Sequence, residues 1–195
     1  MSTTFTKSST HTKVTTSKVY YGCLFCVTGQ EETIIQRIHK KCDLQIISPV
    51  KLRYHRKKGV FSVRTGRVFP GYLFFSTVHR DLKVEILENT QGIIRLLKYD
   101  DDNWVLSGSD AEIVSEFFDC AGVIGFSKGQ FVDGRLRIRE GFLKRYEDDI
   151  CSVDRRHRAA KVRMVLNNRI LEAWFGYDID GDERQIIQGK SHSSY

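Results

Sequence analysis

Of the residues able to do chemistry, the five cysteines and six histidines come first, and their spacing gives none of them a catalytic role. Cys23-Leu-Phe-Cys26 has the spacing of a redox pair or half a zinc knuckle, but no second pair follows it. On a strand, positions three apart point to opposite faces, so these two thiols read as core residues rather than ligands. Cys42, Cys120 and Cys151 are scattered, and an odd total argues for reduced thiols rather than a disulfide scaffold. The stretch from Asp178 to Glu183 has a calcium-loop flavour, yet its glycine comes fourth instead of sixth and no glutamate closes the loop. Neither a Gly-x-x-x-x-Gly-Lys phosphate loop nor a Gly-x-Ser-x-Gly elbow occurs. His11, His39, His55, His79, His157 and His192 stand mostly beside basic residues, without a third group to orient a nucleophile pair. The expectation is a binding protein that is not an enzyme, with no catalytic residues, no metal and no cofactor.

The cations are the better candidates. Lys51, Arg53, His55, Arg56, Lys57 and Lys58 form one basic cluster, and Arg155, Arg156, His157, Arg158, Lys161 and Arg163 form another. A charge run is as often only a solvated face. On a β-hairpin or a barrel rim, however, such spacing presents several cations together, and each phosphate neutralised releases counterions. Tyr54, Phe142, Tyr146 and Trp174 lie near these runs and would serve either to stack on bases or to fill a core. The formal net charge of +7 agrees with a polyanionic partner.

The elements that must position these residues belong to a globular chain, 41% hydrophobic and 28% charged over 195 residues, enough for one ordinary domain or two small ones. No apolar run approaches the roughly 20 residues of a membrane span. The Ser/Thr/Lys-rich start has no secretory core, so a cytoplasmic location is expected. Residues 1–18 read as a disordered tail, 19–120 as a first domain, 121–126 as a linker, 127–179 as a second domain and 180–195 as a loose tail.

In the first domain, Val19 to Val27 reads as a buried strand, followed by a turn at Thr28-Gly29 and a helix with Ile34, Ile35 and Ile38 on one face. Thr28 with Glu31 has capping-box spacing, as have Ser109 and Glu112 ahead of a helix carrying Ile113, Val114, Phe117 and Phe118. A hairpin is expected from Val60 to Thr77 with its turn at Thr65-Gly66, then a helix over Asp81 to Glu88 and a strand over Gly92 to Leu97. Strands and helices mix without a βαβ rhythm, so the class is α+β. The second domain alternates instead. Ala160, Val162 and Met164 fall on one face with Lys161 and Arg163 on the other, and Leu136 and Ile138 alternate with three arginines. Turns are expected at Asp133-Gly134, Asn167-Asn168 and Gly176, and the whole reads as a small β-barrel.

Tyr21 to Glu31, then Ser48-Pro49-Val50, then Val68-Phe-Pro-Gly-Tyr-Leu-Phe-Phe75, together resemble the amino-terminal (NGN) domain of the NusG family of transcription elongation factors. Ile138 to Leu143 and Ile150 to Val162 resemble the core of a KOW barrel. The run from Asp154 to Val162 looks closest to specialised paralogs of the LoaP antiterminator type. The chain departs from the usual KOW Gly-Pro-Leu at Gly141-Phe142-Leu143, which bears on contacts to Rho or a ribosomal protein.

The resemblance implies an operon-specific elongation and antitermination factor, working as a monomer on bacterial RNA polymerase. Phe25, Phe69 and Tyr72 would receive the clamp helices of the polymerase's largest subunit; the alternative of a core aromatic fits Tyr72 better than Phe69, whose neighbours in the alternating strand already supply the inner face. His79 to Glu85 would approach the opposite pincer. Lys51, Arg53, Arg56, Lys57 and Lys58 would touch upstream or non-template DNA, and Arg155, Arg156, Arg158, Lys161 and Arg163 a nascent RNA. The competing readings are a housekeeping factor coupling polymerase to Rho or the ribosome, and a stand-alone RNA-binding KOW protein.

Overall fold

The computed structural model describes residues 18–57, 60–100 and 103–181. The apolar run near the start forms β1 (Tyr20–Cys26), which pairs antiparallel with β5 (Tyr72–Thr77) and β6 (Ile93–Leu96). With β2 (Gln45–Ile47) at the far edge, this sheet has the order β2-β5-β1-β6. Strand alternation sorts its side chains into two cores. Leu24, Cys26, Leu73 and Phe75 pack with Ile34 and Ile38 of α1 (Glu31–His39). Cys23 and Phe74 face the other way, and Phe74 meets Phe117 of α3 (Gly108–Asp119) with ring centroids 5.4 Å apart. The two cysteines of the Cys-x-x-Cys thus sit in different cores, and burial pushes both thiols up, Cys26 to about 11.

The helices form where the periodicity places them, but neither capping box exists. The residue preceding α1 is Gln30 and that preceding α3 is Ser107, and neither makes a side-chain capping bond. Acidic Glu31 and Glu32 in the first turn of α1, with Arg37 and His39 in its last, complement the helix dipole instead. The helix expected over Asp81 to Glu88 shrinks to a single turn, α2 (Glu85–Glu88), in which Leu87 is buried and Ile86 is exposed.

The hairpin is shifted relative to the sequence expectation. The basic segment is itself a strand, β3 (Val50–Lys57), paired with β4 (Val60–Arg67), so the chain reverses between Lys57 and Val60. Thr65 and Gly66 lie inside β4, opposite Leu52 and Lys51. β7 (Val123–Ile124), within the segment read as a linker, pairs parallel with Val50 and Lys51, and Ile124 is fully buried.

The remaining strands are β8 (Ser127–Val132), β9 (Arg135–Glu140), β10 (Ile150–Asp154), β11 (Ala159–Leu166) and β12 (Arg169–Ile179), in the order β10-β11-β12-β8-β9. All neighbours are antiparallel except β12 and β8. Among the described residues no ladder joins β9 to β10, so the observed unit is a five-stranded sheet rather than a closed barrel. Ala160, Val162 and Met164 are buried while Arg163 is exposed, as the alternation requires. Asn167 and Asn168 (φ 48° and 58°) make the tight β11–β12 turn, which asparagine tolerates better than most residues. Gly176 is no turn: it lies within β12, where a Cβ would fall 2.5 Å from the Phe126 ring and 2.8 Å from the Leu52 carbonyl oxygen. One apolar cluster runs from Cys23, Phe69 and Phe117 through Leu143 and Tyr146 to Phe175 and Tyr177, so both halves of the chain share a core.

Candidate functional site

The two motifs that stand out in the first half bind each other. Gly71 donates its backbone N–H to Glu31 Oε1 at 2.9 Å, and its carbonyl accepts from the Cys26 N–H at 2.8 Å. At φ +80° a Cβ on Gly71 would meet Thr28 Oγ1 at 2.9 Å and the Cys26 carbonyl oxygen at 3.1 Å, so the position demands glycine. Glu31 is only 3% exposed. Burial pushes its carboxyl up, but backbone N–H groups, with Gly71 foremost, and the Arg67 charge outweigh this and hold it below the usual carboxylate range. The glutamate that looks like a helix cap is therefore the clasp between the two motifs.

That clasp sets an aromatic face. Phe25 and Tyr72 are direct cross-strand partners, with rings edge to face at 5.2 Å. Both are half-buried, whereas Phe69 is 5% exposed and packs 6.1 Å from Tyr72 and 6.3 Å from Phe117. From Phe117 the contacts continue to Phe142 at 6.0 Å, and from Phe142 to Tyr146 and Phe175 at 4.8 Å each. The side of the first sheet that carries Phe69 is thus covered by α3 and by aromatics of the second half.

Polar contacts hold that cover down. Arg145 bonds Glu116 at 2.8 Å and also Glu112, both on α3. Asp110 Oδ2, buried at the start of α3, accepts from the Tyr99 hydroxyl at 2.5 Å and from the Asn167 N–H at 2.7 Å. Tyr54 donates to Asp178 Oδ1 at 2.6 Å and stacks on Phe126 at 4.3 Å, while Arg158 lies 3.6 Å from the same carboxylate.

The basic residues divide accordingly. Lys51 is 7% exposed, with its Nζ 3.4 Å from the Val68 carbonyl and 5.4 Å from the Phe175 ring centre, and Arg158 is 3% exposed. Both point into the join between the halves and not outward, which corrects the view of them as free phosphate ligands. Lys161 and Arg163 share the Glu172 carboxylate. Arg56, Arg155 and Arg156 are exposed and Arg53 half-buried; Arg56 lies over Phe61, and Arg155 over Phe131 at 4.0 Å. Lys57 ends β3, and its side chain and Lys58 lie outside the described residues. Tyr54 and Tyr146 are core residues rather than stacking platforms.

Sequence reasoning missed Arg64, which stands directly opposite Arg53 in the hairpin. Like charges in such a position repel unless an anion lies between them. Only the correct register finds this pair. His79, Arg80, Asp81, Lys83 and Glu85 are exposed beyond β5. Among the described residues, no group of three or more His, Cys, Asp and Glu side chains is placed to hold a metal ion, and no helix is long and apolar enough to cross a membrane.

Residues 19–115, which contain the clasp and the aromatic face, match the family described as transcription termination factor nusG. This segment, residues 19–115, is of the NusG family of transcription factors. A solved structure described as domain interaction in Thermotoga maritima NusG is similar with a TM-score of 0.46 and 12% identity, over 82% of this chain and 94% of that one. Comparison with curated proteins gives no match.

Proposed function

We propose that the protein is an operon-specific transcription elongation and antitermination factor that holds bacterial RNA polymerase in its closed, processive form. The observation that carries this reading is the clasped pair of motifs inside the family-matched segment: the Glu31–Gly71 bond fixes the backbone from which Phe25 and Tyr72 project. In this reading residues 19–120 are the polymerase-binding domain, and Phe25, Phe69 and Tyr72 receive the clamp helices. Residues 127–179, the five-stranded sheet, serve as the KOW-type domain. Arg155 and Arg156, together with Arg53, Arg56 and Arg64 of the hairpin, take phosphates of nascent RNA or adjacent DNA. No bond is made or broken, since the factor acts through differential binding to the closed polymerase. Because Phe69 lies buried against Phe117 of α3 in the core that the two halves share, its capture by polymerase requires that core to open.

Capture on immobilised bacterial RNA polymerase tests this. Arg145→Gln removes the bonds to α3 and is expected to raise retention of the full chain, whereas Phe25→Ala in the Arg145→Gln background is expected to abolish it. Phe25 is the better probe than buried Phe69, whose truncation would cost about 3–5 kcal/mol of stability. Failure of both wild type and Arg145→Gln to bind, with both folded by circular dichroism, would sink the reading.

A further inference from the structure

A polar cleft of about 430 Å³ lies between the end of β6 and the β11–β12 turn, with walls from both halves of the chain. Among the described residues, Arg95, Lys98 and Arg169 line it with one carboxylate, Glu88. Glu88 pairs with Lys98 at 3.2 Å, and no carboxylate among the described residues pairs with Arg95 or Arg169. Both arginines are exposed, and Arg95 is steadied over the Phe25 ring at 5.7 Å. Between them the Asn167-Asn168 turn presents side-chain amides, which both donate and accept. Asp110 fixes the separation of the walls, because the same oxygen holds Tyr99 on one side and the Asn167 backbone on the other.

We infer that this cleft is a further nucleic-acid site, taking a short phosphodiester stretch on Arg95 and Arg169 with the asparagine amides at the base edges. The inference rests on the reading of the chain as a nucleic-acid-binding factor, and it places a contact outside both basic runs. Two exposed guanidiniums that pair with no carboxylate among the described residues suit a phosphate backbone, and the polar lining suits base edges better than an apolar ligand. The site exists only while the halves are docked, since each contributes one of the two arginines.

The test is fluorescence anisotropy of the full chain with a labelled single-stranded RNA of mixed sequence, across a salt series. The Arg95→Gln/Arg169→Gln variant is expected to lower the slope of log affinity against log salt by about 1.4, at about 0.7 per cation lost. Lys18→Gln/Lys40→Gln, which removes the same charge from exposed positions elsewhere, is expected to leave the slope unchanged. An equal fall in both variants, or none in the first, overturns the site. Competition by polyglutamate as effective as by RNA also overturns it, by making the cleft a general anion surface. Polymerase capture is read in parallel on the same proteins. Loss of the RNA slope difference with capture intact would fail the cleft alone, whereas absent capture with the slope difference intact would fail only the polymerase reading.

Discussion

Lys51 opens a basic run, yet its ammonium lies in the join between the halves. Burial, and then the Arg53 charge, pull it down from the ordinary 10.5 to about 8. In the unfolded chain the ordinary value returns, so between about pH 8 and 10.5 the unfolded state binds more protons and stability rises with pH. Below about pH 8 both states are protonated, and the folded protein carries the full cost of the buried charge, on the order of 3 kcal/mol. Lys51→Met is therefore expected to be at least as stable as wild type near neutrality and to lack that rise. Urea melts across this range read the difference, and an unchanged rise in the variant would show that another group titrates. Glu31 teaches the same lesson. Its spacing suggests a cap, but the tertiary approach of Gly71 offers a buried donor that a solvent-facing cap position lacks.

Among the elements, β12 passes so close to β3 that only glycine fits at 176. The obstacle includes the Leu52 carbonyl, which is backbone and cannot rotate away. Gly176→Ala is expected to destabilise by about 1–3 kcal/mol, as overpacking does, and to loosen the Tyr54–Asp178 contact beside it. Thermal melts measure the first effect, and faster hydrogen exchange along β3 the second. A neutral substitution would mean that the two strands slide apart at no cost. Local pattern made most elements legible: β1, α1, α3 and the alternating β9 and β11 all follow from it. The β3–β4 register did not, because Thr65-Gly66 has turn chemistry while the pairing of Tyr54 with Val63 places those residues mid-strand.

Across the full chain, the shared core argues that the halves unfold together. There are two tryptophans, one in each half: Trp104 against Phe75 at 5.3 Å, and Trp174 on β12. Single-tryptophan variants, Trp104→Phe and Trp174→Phe, therefore report each half separately. Coincident urea midpoints for the two are expected, as a single cooperative unit requires. Separated midpoints would mean that the aromatic path from Phe117 to Phe175 contributes little to stability.

Near neighbours along the chain were enough for the α+β class, the strand and helix periods, the family motifs, and the reading of a basic chain without a catalytic constellation. Those follow from side-chain spacing, which is the same in the unfolded and folded chain. Three-dimensional packing was needed to show that Glu31 clasps Gly71, that Lys51 and Arg158 turn inward, that Arg64 faces Arg53, and that Phe69 lies against Phe117. Each of these depends on how separate segments of the chain are brought together, and whether a cation faces phosphate or a carboxylate is settled by which surfaces meet once the two halves bury a common core.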